Sequence, residues 1–240
     1  YGPSAAEAYP DNLLRFAVLS AGALEAMRFL DVRPDIVHAN DWPTALSAVY
    51  LRTRYRSEER FVDAATVLSI HNLGYQGRFD GGDALTEIGL DEAEAEDAGL
   101  FEMNQINLLK GGIISSDRLV TVSPTYAQEI QQPRYGFGLH TPLQLRAPHL
   151  VGILNGIDTD LWNPDDDPYL PARYGVDDLR GKLVCKTGLR RELELSAEDD
   201  VPLIGLISRL TQQKGIDELF GENYGAMERI LAELPVQIVV

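Results

Sequence analysis

The chain has 240 residues, 45% of them hydrophobic, with a formal net charge of -16 at pH 7 and a single cysteine, Cys185. That length suffices for one large domain or parts of two. So acidic a surface disfavours nucleic-acid backbones and anionic membranes. One cysteine excludes an internal disulfide framework and any multi-cysteine zinc site, and fits a reducing, cytoplasmic setting.

No run is long and apolar enough to span a bilayer, and the opening residues do not read as a signal peptide. The chain starts at Tyr1 and stops inside the apolar run Val236-Gln237-Ile238-Val239-Val240, which reads as a buried strand. The expectation is an internal fragment of a longer protein.

In chain order, apolar residues at helical spacing predict a helix over 12–29, then a strand over 35–38. Val37-His38-Ala39-Asn40-Asp41-Trp42 leads from that strand into a helix over 43–55. His38 reads as a core residue. Asp41 is placed to cap the helix. It can equally serve, with Trp42, as a sugar contact, the carboxylate bonding hydroxyls and the ring covering an apolar sugar face.

A second strand, 66–70, runs into His71-Asn72-Leu73-Gly74-Tyr75-Gln76-Gly77. A lone histidine is usually structural. Here Asn72, Tyr75 and Gln76 follow it, and two glycines permit close backbone approach. Without a second histidine or carboxylate at ligand spacing, the motif predicts no metal. Residues 87–102 are acidic and read as a solvated helix or loop.

A helix is predicted over 105–115, with Gly111 and Gly112 implying close packing against a sheet. A strand over 118–122 precedes Ser123 as N-cap and Pro124 as the first residue of a helix over 124–130. A strand over 151–154 ends at Asn155. The run Trp162-Asn163-Pro164-Asp165-Asp166-Asp167-Pro168 then reads as a surface linker.

A helix over 178–195, a strand over 203–207, a helix over 216–234 and the final strand complete the order. Alternating strands and helices predict an α/β doubly wound fold, its strands covered on both faces. The loop Ser208-Arg209-Leu210-Thr211-Gln212-Gln213-Lys214-Gly215 follows the 203–207 strand. Arg209 and Lys214 offer a planar fork and a compact charge, a pair suited to a diphosphate. In open α/β sheets ligands bind where strands end, so the two motifs together predict a sugar-nucleotide enzyme with its site between two domains. No Walker-type or G-x-G-x-x-G loop is present, which counts against kinases, dehydrogenases and nucleotide-sugar epimerases.

These blocks resemble, in order, those of bacterial glycogen synthase and the starch synthases, retaining glucosyltransferases of the GT-B fold. The resemblance covers 38–42, 71–77, 109–130, 152–164 and 203–217. The His71–Gly77 and Thr121–Ala127 blocks are specific to this branch, whereas the Arg209–Gly215 block is shared with other retaining GT-B enzymes. Two Rossmann-like domains are implied: 1–154 would be the later part of the first, 155–201 a linker and helix, and 202–240 the start of the second.

The resemblance also implies glucose transfer from ADP-glucose to the non-reducing end of an α-1,4-glucan, by front-side displacement, without metal or cofactor. Arg209 and Lys214 would hold the donor diphosphate, and His71 would line the donor glucose through its main-chain carbonyl. Asn155 would contact the sugar from the domain junction, Asn72 and Gln76 would bind substrate, and Asp41 and Trp42 would lie on the acceptor side. The family's Lys-x-Gly-Gly-Leu loop would precede Tyr1, and a glutamate-containing motif would follow Val240. The segment alone is therefore expected to be inactive. Alternatives are a UDP-glucose-dependent GT-B transferase and a non-catalytic glucan-binding protein on the same fold.

Overall fold

The computed structural model describes residues 2, 7–196, 200–221 and 225–240. The chain divides into two compact units, Tyr1–Gly156 and Ile157–Val240. In the first, α1 (Asn12–Phe29) precedes β1 (Ile36–Asn40), then α2 (Asp41–Thr44), α3 (Leu46–Arg52) and β2 (Ala65–Ile70). Next come β3 (Arg78–Asp80), α4 (Gly81–Ile88), α5 (Glu92–Asp97), β4 (Phe101–Glu102), β5 (Gln105–Asn107) and α6 (Leu108–Ser115). The unit closes with β6 (Arg118–Thr121), α7 (Pro124–Glu129), α8 (His140–Leu145) and β7 (Leu150–Gly152).

The main sheet is parallel and four-stranded, in the order β1-β2-β6-β7. All four strands therefore end on one edge, the edge at which α/β sheets take ligands. Its core is β2 and α6: Leu68, Ile70, Leu108, Leu109 and Ile113 are fully buried. Two glycines let α6 lie this close. A Cβ on Gly112 would sit 2.7 Å from the Ala45 Cβ and 3.1 Å from Leu68, and one on Gly111 would sit 2.5 Å from Leu100. The glycine pair trades helix propensity, roughly 1 kcal/mol each, for contact with β2 and with the α2–α3 junction.

Several expectations need correction. Residues 105–107 are not helical. They form β5, the middle strand of an antiparallel β3-β5-β4 sheet, and Asn107 is extended and caps α6. The helix expected over 43–55 starts at Asp41, breaks at Ala45 and ends at Arg52. The acidic stretch 87–102, expected as a helix or loop, holds α5 at its middle, started by a capping box between Asp91 and Glu94, and ends in β4.

Cover on both faces holds for β2 but not for β1, β7 or the strands of the second unit, which alternate or stand open. His38 accordingly is not a core residue. It lies exposed on β1, an edge strand, with Nε2 2.8 Å from Ser69 Oγ. Period-2 geometry puts its neighbour Ala39 inside instead.

The second unit holds α9 (Arg180–Glu192), β8 (Leu203–Gly205), α10 (Ile216–Phe220), α11 (Met227–Glu233) and β9 (Gln237–Val239). β8 and β9 pair in parallel. Of the helix expected over 216–234, residues 222–224 lie outside the described residues. The Asp- and Pro-rich segment is stitched by turns in which Asp158, Asn163, Asp167 and Asp178 each accept a backbone N–H two residues on. Buried Arg190 ties α9 to the strand pair through Gln237 Oε1 at 2.7 Å and the Val201 carbonyl. Among the described residues no helix is long and apolar enough to cross a membrane.

Candidate active site at the carboxyl ends of the parallel strands

The end of β1 is clasped to the end of β2. Asp41, expected to cap its own helix, does not do so; α2 has no side-chain cap. Thr44 serves that turn, its Oγ1 accepting from Asn40 N at 2.6 Å and donating to Asn40 O at 2.9 Å. Asp41 instead takes a left-handed backbone, φ 54°, a conformation that costs an L residue roughly 1–2 kcal/mol. The twist swings its carboxylate across the sheet edge. There Oδ1 accepts the His71 amide at 2.8 Å and lies 3.4 Å from the Asn72 amide. Oδ2 has no hydrogen-bond partner among the described residues.

The His71 imidazole stands exposed, with Nε2 3.0 Å from Asn40 Oδ1. This contact orients the ring from the neighbouring strand. Asn72 Oδ1 accepts from Gly74 N at 3.0 Å, folding the loop into a turn.

Beneath the loop lies a polar network. Gln76 is 4% exposed. Its Nε2 donates to the carbonyls of Leu73 and Phe137, both at 3.0 Å, and its Oε1 accepts from Asn107 Nδ2 at 2.7 Å. Asn107 also donates to Glu102, and Glu102 takes Arg78 in a two-pronged pair at 2.9 and 3.1 Å. Burial pushes the Glu102 carboxyl up, but the bonds from Arg78 and Asn107 outweigh it and hold the group below its ordinary value. The Gln76 and Gly77 carbonyls accept the Leu109 and Leu108 amides at the start of α6.

Two expected substrate contacts therefore have structural places. The Gln76 amide is committed to holding the loop. Trp42 is 8% exposed, packed edge-on against Phe16 at 4.7 Å and near Phe79 at 6.0 Å. Gly77 (φ 63°) lies against that indole, where a Cβ would be 2.4 Å from the ring. The ring is part of the core and does not lie open to a sugar face.

Sequence reading did not assign Tyr126 to the site. It is on α7, whose start is as expected, with Ser123 accepting from Tyr126 N. The Tyr126 hydroxyl accepts the Leu73 amide at 3.3 Å. Burial raises this phenol's pKa, opposed by the Leu73 bond and reinforced by Asp41 and Glu129. Thr121, at the end of β6, donates to the Ile70 carbonyl at 2.8 Å. Both lie in the branch-specific Thr121–Ala127 block, but that block reads locally as a helix start and does not point to the His71 loop.

Asn155 lies exposed, three residues beyond β7, with no hydrogen bond among the described residues. Arg209 and Lys214 belong to the second unit. Their loop turns through Thr211 N to Arg209 O and Lys214 N to Thr211 O, and closes on Gly215 at φ 74°. Both side chains are exposed, and among the described residues neither has a carboxylate at ion-pair distance. Among the described residues, no cluster of three or more His, Cys, Asp or Glu side chains is arranged to hold a metal ion.

Residues 1–145 match the family described as the starch synthase catalytic domain. Glycogen synthase 1 of Geobacter sulfurreducens is 45% identical over 97% of this chain and 45% of its own length. The glycogen synthase of Myxococcus xanthus is 49% identical over 91% of this chain and 45% of its own. The catalytic domain of Starch Synthase IV from Arabidopsis thaliana, solved bound to ADP and acarbose, superposes with a TM-score of 0.82 at 38% identity. That match covers 97% of this chain and 47% of the other. The chain thus spans about half the length of the curated relatives it matches. With its parallel α/β sheet, its Asp41–His71 clasp and this run of matches, the chain belongs to the starch synthase catalytic domain family, of GT-B fold.

Proposed function

We propose that the full-length protein containing this chain transfers glucose from ADP-glucose to the non-reducing end of an α-1,4-glucan, with retention. The observation that carries this reading is the Asp41 clasp on the His71 amide. It fixes the His71–Asn72 backbone at the carboxyl ends of parallel strands with the His71 ring exposed, beside a carboxylate oxygen left for a ligand hydroxyl. The glycogen synthases among its relatives support the reaction class. The ADP in the Arabidopsis structure supports an adenine nucleotide as the leaving group.

In this reading the bond from the anomeric carbon to the diphosphate oxygen breaks, and the acceptor's 4-hydroxyl oxygen bonds to that carbon from the same face. The hydroxyl proton passes to the departing diphosphate. His71 lines the donor glucose, Asp41, Asn72 and Asn155 contact sugar hydroxyls, and Arg209 and Lys214 stabilise the charge developing on ADP. Trp42 and Gln76 act beneath the surface, as supports of the loop. Residues 1–154 serve as the later part of the first Rossmann-like domain, 155–201 as linker and helix, and 202–240 as the start of the second. The location in this reading is cytoplasmic, in keeping with the single cysteine.

The test is ADP release by the full-length protein from ADP-glucose with a maltooligosaccharide, run beside UDP-glucose and a Lys214→Ala control. Activity with ADP-glucose that the control loses is the expected result. Activity with UDP-glucose alone would move the protein to another GT-B branch, and transfer from neither donor would leave a glucan-binding protein.

A further inference from the structure

The loop between α7 and α8, residues 130–139, presents an aromatic ring that the reading above leaves unused. Phe137 has a left-handed backbone, φ 47°, followed by Gly138 at φ 89°. A bulky side chain rarely adopts that region, and does so where its surroundings hold it there. Here they do. The Phe137 carbonyl accepts from Gln76 Nε2 at 3.0 Å and from Arg78 Nη2 at 3.2 Å. Arg78 is itself fixed on Glu102. On one side, a Cβ at Gly136 would meet the Ile130 carbonyl at 2.8 Å; on the other, Leu139 is buried in the core.

All this anchoring fixes the backbone, yet the ring is not buried. It is 54% exposed. Its Cε1 and Cζ lie 3.9 Å from where a Gly74 Cβ would be, so the ring edge rests beside Gly74 of the His71–Gly77 loop. Core packing does not account for a strained backbone carrying an open ring. The Trp42 indole, which the sequence offered for sugar contact, is meanwhile enclosed. Tyr75 is 48% exposed, but its backbone has no left-handed strain, and its own amide makes a 3.3 Å bond to Asn72 O.

We propose that Phe137 is the platform on which a glucose unit of the acceptor glucan stacks, an inference that rests on the glucan-transferring reading of this site. A pyranose presents an apolar C–H face that suits an aromatic ring. A half-open ring suits a chain that runs on past the site, whereas a nucleotide-linked donor sugar is enclosed and held through its hydroxyls and phosphates. The same hydrogen bonds that hold the His71 loop, from Gln76 and through Arg78, hold the Phe137 carbonyl. Platform and loop therefore keep a fixed relation, and the ring sets where the chain end lies.

The test uses the full-length protein and the variants Phe137→Ala, Phe137→Leu and Phe137→Tyr, with maltoheptaose as acceptor. Calorimetric binding of maltoheptaose is measured beside steady-state kinetics in each substrate. Phe137→Ala is expected to raise the maltoheptaose KM and Kd about tenfold, with the donor KM and the melting temperature unchanged. Tyrosine should restore both constants, and leucine should not. An unchanged maltoheptaose Kd in Phe137→Ala would overturn the proposal. So would full rescue by leucine, which would make the ring an apolar filler, or an equal rise in the donor KM. If the wild type binds maltoheptaose but transfers nothing, the functional reading fails while the binding ratio still decides the platform. If it does not bind maltoheptaose at all, both fail.

Discussion

The two motif-bearing loops are built in opposite ways. The His71–Gly77 loop is held from every side: Asp41 on its amides, Tyr126 on Leu73, Gln76 and Asn107 beneath, and α6 on its last carbonyls. The Arg209–Gly215 loop turns on two short backbone bonds among the described residues, and its two cations are exposed. A group that must place a sugar hydroxyl within a few tenths of an ångström needs a rigid mount. A charge that must follow a departing diphosphate acts at longer range and can be drawn into place by the ligand. The contrast predicts that damage to one loop shows in chemistry with little change in fold, while damage to the other shows first in the fold.

The largest effect is expected on the exposed side of that contrast. Lys214→Ala or Arg209→Ala in the full-length protein should lower kcat by about 10²–10³-fold. The melting temperature should move by no more than exposed substitutions usually produce. Paired melting curves and rate measurements check both halves. A variant that loses stability along with activity would mean that this loop is structurally coupled after all, and the contrast would collapse.

Next in size is Asn107→Ala, at the centre of the buried network. It strands Gln76 Oε1, removes a donor to Glu102 and uncaps α6. Orphaned buried partners cost about 1–3 kcal/mol each, and a lost cap about 1. Denaturant unfolding should therefore show a loss of about 2–4 kcal/mol. A loss below 1 would show that water readily replaces the asparagine and that the loop is less rigidly mounted than its bonds suggest.

The same contrast explains what could be read from the sequence. Arg209 and Lys214 announce themselves by type, because two cations after a strand in so acidic a chain have few ordinary explanations. The parallel strands and α1 were legible from periodicity, which is local. The clasp was not. Asp41 before a helix carries the signature of an N-cap, and only its left-handed φ, set by tertiary contact, turns it toward His71. Gln76 and Trp42 have the residue types of sugar contacts, and their burial depends on Asn107, Phe16 and Phe79, distant in sequence. Residues 105–107 were lost to the helix because Gln-Ile-Asn carries no period of its own; their pairing with 78–80 makes the strand. His38 failed for the reverse reason: a strand's alternation was visible, but which face lay inside was not.

Gly112→Ala probes the close packing that seats α6 against β2. Two effects oppose each other. Alanine gains roughly 1 kcal/mol of helix propensity. Its methyl would lie 2.7 Å from the Ala45 Cβ and 3.3 Å from the Ala45 Cα, atoms that cannot swing aside. Overpacking of this kind costs about 1–3 kcal/mol. A net loss of about 1 kcal/mol is expected by chemical denaturation. Gly82, with open space around its Cβ position in the exposed first turn of α4, should gain on the same change. Equal outcomes at the two glycines would show that α6 is not pressed against its neighbours.

The smallest effect lies in the acid limb of stability. The folded-state pKa of Glu102 is depressed, because the Arg78 and Asn107 bonds outweigh its burial. A depressed carboxyl contributes stability at pH above its unfolded-state value, and that contribution fades as pH falls through the folded-state value. The sensitive window therefore opens near the ordinary carboxylate pKa of about 4.3 and extends below it. Glu102→Gln keeps an acceptor for Arg78 and removes the titration. Its melting temperature should lie below that of the wild type at neutral pH, and the gap should narrow as the buffer is taken through that window. The same variant should leave the low exposed loop of Arg209 and Lys214 untouched, so the donor KM at neutral pH is the control. A gap that stays constant with pH would mean that the Glu102 charge contributes nothing to holding the His71 loop, and that its mount is made by the neutral bonds of Gln76 and Asn107 alone.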